Sequence, residues 1–325
     1  MASKIVVITG SRGRIGRIVA RALLDSGYTI RSVVRSREAA LGLPAGTVPY
    51  IGSLSDSKML ANAFDGADAV LHLAAIVSEY KYTTEQILDT NVVGTRSVVE
   101  ACNSGGVSQL IFSSSIDVYG RQRKGVLTEE SELRPSDKYG YSKMLAEQVI
   151  REEAGRLRYT IFRLATAYGP GFESSFFKVL GLIKEGKAYL MGKGDNSLAI
   201  IHVSDVAQAV ALALGKGRES ANKIYNLSDG LNQTQKELFA LAAAALNVPK
   251  PERQINRIIM NIMIKSKNID SDELRFLTSD RVIDISRARR ELGFSPKVDS
   301  RKGIEEVARM FAERAVHVSA TVAGR

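Results

Sequence analysis

The sequence predicts an α/β protein: a Rossmann-type doubly wound parallel sheet with a smaller, mostly helical C-terminal lobe for substrate. Two observations carry this. Through the first two-thirds of the chain, short apolar, β-branched runs alternate with stretches whose apolar positions recur near every 3.6 residues, as parallel strands joined by crossover helices require. Directly after the first run comes Gly10-Ser11-Arg12-Gly13-Arg14-Ile15-Gly16, a glycine-rich turn that opens a helix.

The elements follow in order. Residues 5–9 form an unbroken β-branched run, and the apolar spacing of 15–26 supplies the first crossover helix. Strands at 29–34, 47–51 and 69–73 follow, with a helix at 57–64 between the last two. The pattern then predicts helix 86–103, strand 109–113, helix 139–154 and strand 159–164. After Gly169-Pro170-Gly171 it loosens into helices at 235–246, 252–265 and 301–315, with short strands only at 198–201 and 223–227. The dinucleotide-binding domain is therefore set at 1–170, with segments near 198–228 returning to it. A substrate lobe spans 171–316, and 317–325 forms a flexible polar tail. Helix 252–265 is amphipathic and basic, with Ile255, Ile258, Ile259, Ile262 and Met263 opposite Arg253, Arg257 and Lys265. It reads as a lobe helix with one buried face; contact with a membrane surface or a lipid-like substrate is the alternative.

Whole-chain properties exclude several classes. The net charge of +10 suits an anionic ligand, but the 45 Lys and Arg residues are scattered and do not alternate with aromatics, which argues against nucleic acid. No stretch approaches the roughly 18 apolar residues of a membrane span, and no signal-peptide pattern opens the chain, so the expected compartment is the cytoplasm. Cys102 is the single cysteine and falls inside a helical pattern, where a buried structural thiol is the simpler reading. His72, His202 and His317 lack metal-ligand spacing, so no metal is expected.

The glycine turn has a physical purpose. Gly10, Gly13 and Gly16 allow a sharp turn, close approach of a pyrophosphate and packing of helix on strand, while the helix N-terminus beginning near Ile15 offers N–H donors. About 20 residues on, where an NAD-preferring protein places Asp or Glu, this chain has Arg35. A guanidinium there attracts a 2′-phosphate, and Arg12 adds a second cation, so NADP(H) is favoured and NAD(H) is the alternative. Both arginines also read as solvated surface residues.

Tyr139 and Lys143 stand at i and i+4, on one face of a helix. A tyrosine hydroxyl titrates near 10, and an ammonium beside it favours the phenolate, which would equip Tyr139 as an acid or base toward a carbonyl or alcohol. Ser115 lies just past strand 109–113, at the sheet edge where doubly wound folds bind ligands, and can hydrogen-bond the reacting oxygen.

These residues, with Asp68-Ala69-Val70-Leu71-His72-Leu73-Ala74-Ala75, Asn91-Val92-Val93-Gly94-Thr95, Arg163-Leu164, Tyr168-Gly169-Pro170-Gly171, Ile201-His202-Val203-Ser204-Asp205 and Glu291-Leu292-Gly293-Phe294-Ser295-Pro296, carry a resemblance. From about Lys4 to about Ala315 the chain resembles extended short-chain dehydrogenases/reductases of the NAD-dependent epimerase/dehydratase family. The resemblance implies that Ser115 polarises the substrate oxygen, Tyr139 transfers the proton, and Lys143 holds the nicotinamide ribose and lowers the tyrosine pKa. It implies that Leu73, Ala74, Ala75 and Asn91 belong to the cofactor site, that Ser53 and Leu54 flank the adenine, and that His202 and Asp205 are architectural. Val77, Ser78, Tyr80, Tyr168, Phe172 and Phe176 become candidates for facing a small-molecule substrate. A homodimer through helices 86–103 and 139–154 is also implied.

Three departures narrow the reaction. Arg35 stands where related nucleotide-sugar epimerases carry Asp, Ser115-Ile116-Asp117 stands where dehydratases carry Thr-Asp-Glu, and Leu198 stands where sugar-nucleotide enzymes commonly place a diphosphate-binding Arg. Arg275 or Arg281 could replace that arginine. The expected function is an NADP(H)-dependent oxidoreductase that interconverts a ketone and a secondary alcohol. A nucleotide-sugar epimerase or keto-reductase using bound NAD(P) is the alternative, and a non-catalytic NADP-sensing regulator, a role that ordinarily lacks this Ser/Tyr/Lys set, is a remote one.

Overall fold

A computed structural model describes residues 4–77, 81–256, 258–259, 262 and 276–323. The strands are β1 (Ile5–Thr9), β2 (Thr29–Val34), β3 (Val48–Ile51), β4 (Ala69–His72), β5 (Gln109–Ser115), β6 (Gln122–Leu127), β7 (Arg158–Leu164), β8 (Thr166–Tyr168), β9 (Leu190–Met191), β10 (Ile200–His202), β11 (Lys223–Leu227), β12 (Gln254–Ile255) and β13 (Asp280–Ile283). The helices are α1 (Arg14–Asp25), α2 (Arg37–Ala40), α3 (Ser57–Phe64), α4 (Thr84–Leu88), α5 (Gly94–Ser104), α6 (Lys138–Glu153), α7 (Glu173–Lys184), α8 (Val203–Lys216), α9 (Gln235–Ala245) and α10 (Ser300–Ala323).

Seven strands form one parallel sheet in the order β11-β7-β5-β4-β1-β2-β3. Pleat alternation explains how the apolar runs are spent. Val6 and Ile8 point into one core with Val19 and Leu23 of α1 and Val206 and Val210 of α8, while Val7 points to the other face with Leu60, Val99 and Ile150. With both faces covered, the central strands are mainly apolar, and their buried polar residues, such as Ser114 and Arg163, are hydrogen-bonded. Strand order reverses between β1 and β4, so the crevice at their C-terminal ends is the natural ligand position. A third core, built from Leu180, Leu198, Phe239 and Val307, holds the lobe together.

Several expectations are corrected. The helix expected at 86–103 starts at Thr84 because Thr83 and Gln86 form a reciprocal capping box, and a π-helical turn at Asp89–Val93 joins α4 to α5. β5 continues to Ser115. Of the segment near 198–228, β11 joins the main sheet beside β7, but β10 pairs with β8 in a separate two-stranded sheet. The helix expected from 252 is absent at its start, because Gln254 and Ile255 pair with β9; much of its remainder lies outside the described residues. Ile258, Ile259 and Ile262 are exposed instead of forming a buried face. α10 extends to Ala323, through most of the stretch expected as a tail. Among the described residues no helix is long and apolar enough to cross a membrane.

Candidate active site

A cleft of about 500 Å³ opens at the C-terminal edge of the sheet. Gly10, Gly13, Ile15, Gly16, Leu73 and Ala75 line one end. Gly10 has φ +76°, and a Cβ there would lie 2.6 Å from the Ala74 nitrogen. A Cβ on Gly16 would collide with the Gly10 carbonyl oxygen. These positions keep the β1–α1 turn pressed between β4 and α1, which leaves a bare backbone surface facing the cleft. Gly13 caps α1 without a side-chain bond, so the first-turn N–H groups remain for an anion. This is the cradle a dinucleotide pyrophosphate needs.

Further along, Arg35 is exposed at the end of β2, and the Arg12 side chain lies against Gly42, where an added Cβ would be 3.4 Å from its Nε. Ser53 and Ser55 share a 2.7 Å hydroxyl contact, and Leu54 packs on Gly94 at the start of α5. Asn91 is spent inside the protein: Nδ2 donates to the Ile76 carbonyl and to Ser142 Oγ, and Oδ1 accepts from the Ile76 N–H. It therefore acts on the cleft through the segment it ties down. Behind that segment runs a chain whose protons are all assigned by their partners. Ala74 N–H donates to Thr9 Oγ1, Thr9 donates to His72 Nδ1 at 2.6 Å, His72 Nε2 donates to Thr95 Oγ1 at 3.0 Å, and Thr95 donates to the Asn91 carbonyl. Burial, with the nearby Lys143 charge, holds the His72 pKa down at about 3.

Of the three candidate catalytic side chains, Ser115 and Tyr139 line the cleft, while Lys143 is buried and outside its lining. Asp137 caps α6 by accepting from the Gly140 N–H, which places Tyr139 in the first turn and Lys143 one turn on. Ser115, at the tip of β5, accepts from the Asp117 N–H at 3.1 Å. The Lys143 ammonium is buried, donates to the Ser113 carbonyl at 2.7 Å and lies 5.9 Å from the Tyr139 ring centre. Burial lowers its pKa to about 7, against the opposing pull of Glu147. Tyr139 differs from the expectation: its phenol is pushed up by burial and, beyond that, by the Asp117 and Asp137 carboxylates. The group on offer at neutral pH is a protonated phenol, a proton donor.

Behind this set, Glu147 accepts from Ser114 Oγ at 2.5 Å and from Arg163 through paired bonds, all fully buried. Arg163 also donates to the Tyr119 hydroxyl.

The other end of the cleft is aromatic and cationic. Val77, Phe172 and Phe176 line it, together with Arg281, which the sequence offered in place of a diphosphate-binding arginine, and with Phe276, Lys81 and Arg121, which the sequence reading did not place there; Arg14 of the glycine turn also lines the cleft. Arg14 stacks over the Phe172 ring at 5.4 Å. Ser78 and Tyr80 lie outside the described residues. Tyr168 is not in this cleft: it is fully buried, edge-on to His202 at 5.3 Å, with its hydroxyl against Gly303 of α10. The small Gly303 leaves room for its ring in the lobe core, where it packs near Leu198 and Ile200. His202 lies 3.1 Å from Glu306, and Asp205 accepts from the Lys297 and Val298 N–H groups.

A family model described as the NAD dependent epimerase/dehydratase family matches residues 6–228. The chain belongs to this family. As an epimerase/dehydratase-family member it is an NAD(P)-dependent oxidoreductase or epimerase. UDP-glucose 4-epimerase of Streptomyces lividans is 28% identical over 316 residues, covering 89% of this chain and 91% of that one. Sterol-4-alpha-carboxylate 3-dehydrogenase, decarboxylating, of Dictyostelium discoideum is 23% identical, covering 94% of this chain and all of the other. The solved structure of MoeE5 in complex with UDP-glucuronic acid and NAD superposes with a TM-score of 0.76 at 25% identity, covering 95% and 99% of the two chains.

Proposed function

We propose that this epimerase/dehydratase-family protein interconverts a ketone and a secondary alcohol with NADP(H). The observation that carries the reading is that the Tyr139 side chain lines the same cleft as Ser115, beside an aromatic wall. In the reducing direction Ser115 donates a hydrogen bond to the carbonyl oxygen and Tyr139 passes its proton to that oxygen. A nicotinamide dinucleotide, when bound, supplies the hydride that the carbonyl carbon gains. Lys143 holds the β5 tip to α6 and so fixes the spacing of Ser115 and Tyr139. Gly10, Gly13, Gly16, Ser53, Leu54, Leu73, Ala74 and Ala75 would border the dinucleotide, with Asn91 positioning its floor. Arg35 and Arg12 would take the 2′-phosphate.

The second reading, a nucleotide-sugar epimerase, is favoured by the Streptomyces relative. Against it, Leu198 is buried among apolar side chains and cannot meet a diphosphate. A homodimer is proposed through the α4–α5 and α6 faces, which leave Val93 and Tyr141 exposed.

The test is to denature freshly purified protein, identify any released dinucleotide, and titrate the emptied protein with NADPH and NADH. An empty site that prefers NADPH, with ketone-dependent NADPH oxidation, supports the reductase; stoichiometric retained NAD with no net turnover would establish the epimerase instead.

A further inference from the structure

We propose that the lobe core holds a second, dry pocket that takes the alkyl end of the substrate, so that the cleft acts on a ketone or secondary alcohol carrying an apolar chain. That the occupant is the substrate rests on the oxidoreductase reading above.

The lobe core is not completely filled. A cavity of about 40 Å³ lies between Val179, Leu180 and Ile183 of α7, Phe239 and Ala242 of α9 and Val307 of α10. The α7 positions recur three and four residues apart, so one stripe of that helix faces the space. A single water needs roughly 10–15 Å³, but it also needs two to four polar partners. Every side chain on this wall is aliphatic or aromatic. The Tyr168 hydroxyl, the one polar side-chain group among them, is buried with no hydrogen-bond partner among the described residues. The space is therefore dry, and it suits carbon better than water. Left empty, it deprives each wall residue of dispersion contacts that a row of methylenes would restore.

Its position ties it to the reaction. Phe176 and Phe276 line this cavity and the cleft alike. Their ring centres are 5.7 Å apart, and the Phe176 ring lies 5.6 Å from that of Tyr168. A row of three rings thus runs from the cleft into the lobe core. On the cleft side, Phe176 and Phe276 share a wall with Ser115 and Tyr139. Charged side chains line the cleft, whereas none lines the pocket among the described residues. A substrate whose oxygen meets Ser115 and Tyr139 keeps its polar end in the cleft and passes its apolar end along the rings into the pocket.

The experiment is calorimetric titration of the protein, saturated with NADP⁺, with the methyl ketones from butan-2-one to dodecan-2-one. NADP⁺ cannot reduce them, so only binding is read. Each methylene that enters the pocket should tighten binding about fourfold, until the pocket is full and the gain stops. Ala242→Leu fills the pocket and should stop the gain at a shorter chain; Val179→Ala enlarges it and should stop the gain at a longer one. Neither residue lines the cleft, so the shortest ketones should bind both variants as they bind the wild type. If Ala242→Leu does not fold, the shift in Val179→Ala decides alone. Affinity independent of chain length, a stopping point unmoved in the variants, or no binding of any ketone overturns the proposal. Ketones that bind with the expected length dependence but are not reduced when NADPH replaces NADP⁺ uphold the pocket while the oxidoreductase reading fails.

Discussion

The Lys143 ammonium donates to the Ser113 carbonyl at 2.7 Å, tying the helix that carries Tyr139 to the strand that carries Ser115. One buried side chain thus sets the spacing of the two side chains proposed to react.

Replacing Tyr139 with Phe removes the proposed proton donor without emptying the site. Ketone reduction should fall by roughly 10²–10⁴-fold, the range for general acid–base groups, while dinucleotide affinity measured by fluorescence titration stays nearly constant. Activity equal to wild type would sink the assignment.

The ammonium form of Lys143 is lost as pH rises through about 7, because burial has depressed its pKa. The reduction rate should therefore decline on the alkaline side with an apparent pKa near that value, read from a pH profile of kcat. Lys143→Met should abolish most activity, and a flat wild-type profile from pH 6 to 9 would contradict the role.

Arg35→Asp places a carboxylate where a 2′-phosphate would lie. Affinity for NADPH should drop roughly tenfold or more relative to NADH, in line with the loss of a charge-assisted contact. An unchanged preference would locate the phosphate elsewhere.

His72 makes the fold acid-sensitive. Above pH 6.5 neither folded nor unfolded His72 holds the extra proton, and its contribution to stability is complete. As pH falls from 6.5 toward about 3, the unfolded imidazole takes up a proton that the folded one refuses, so stability is lost by up to about 1.4 kcal/mol per pH unit. Urea unfolding of wild type and His72→Gln across that window should show a shallower slope in the variant.

Arg163 and Glu147 are both buried, at 2% and 0% exposure. Arg163→Met leaves the Glu147 carboxylate unpaired and should destabilise the protein by about 3–5 kcal/mol in urea unfolding, whereas the double variant Arg163→Met, Glu147→Leu should cost less than the sum of the singles.

The sheet was legible because its causes are local. β1, β2 and β11 have the bounds their β-branched and apolar-rich runs predict. The glycine turn and the Tyr139/Lys143 spacing were legible for the same reason: a tight turn and a helical repeat leave marks over a few residues. Short-range pattern misled where pairing partners decide the outcome. Gln254 and Ile255 look helical but find β9, and Tyr168 looks like a cleft residue but is drawn into the core by Gly303 and His202.

By itself, the sequence determined a doubly wound sheet, a bare-backbone cradle after β1, and a tyrosine and lysine on one helix face. Only the tertiary structure decided that burial and nearby carboxylates push the Tyr139 phenol up, that Asn91 and His72 lie in a buried hydrogen-bond network behind the cleft, and that Arg281 meets Asp117 beside Ser115. The physical reason is distance along the chain. Burial, and charges brought together from positions 164 residues apart, set pKa values and donor directions without leaving a local pattern to read.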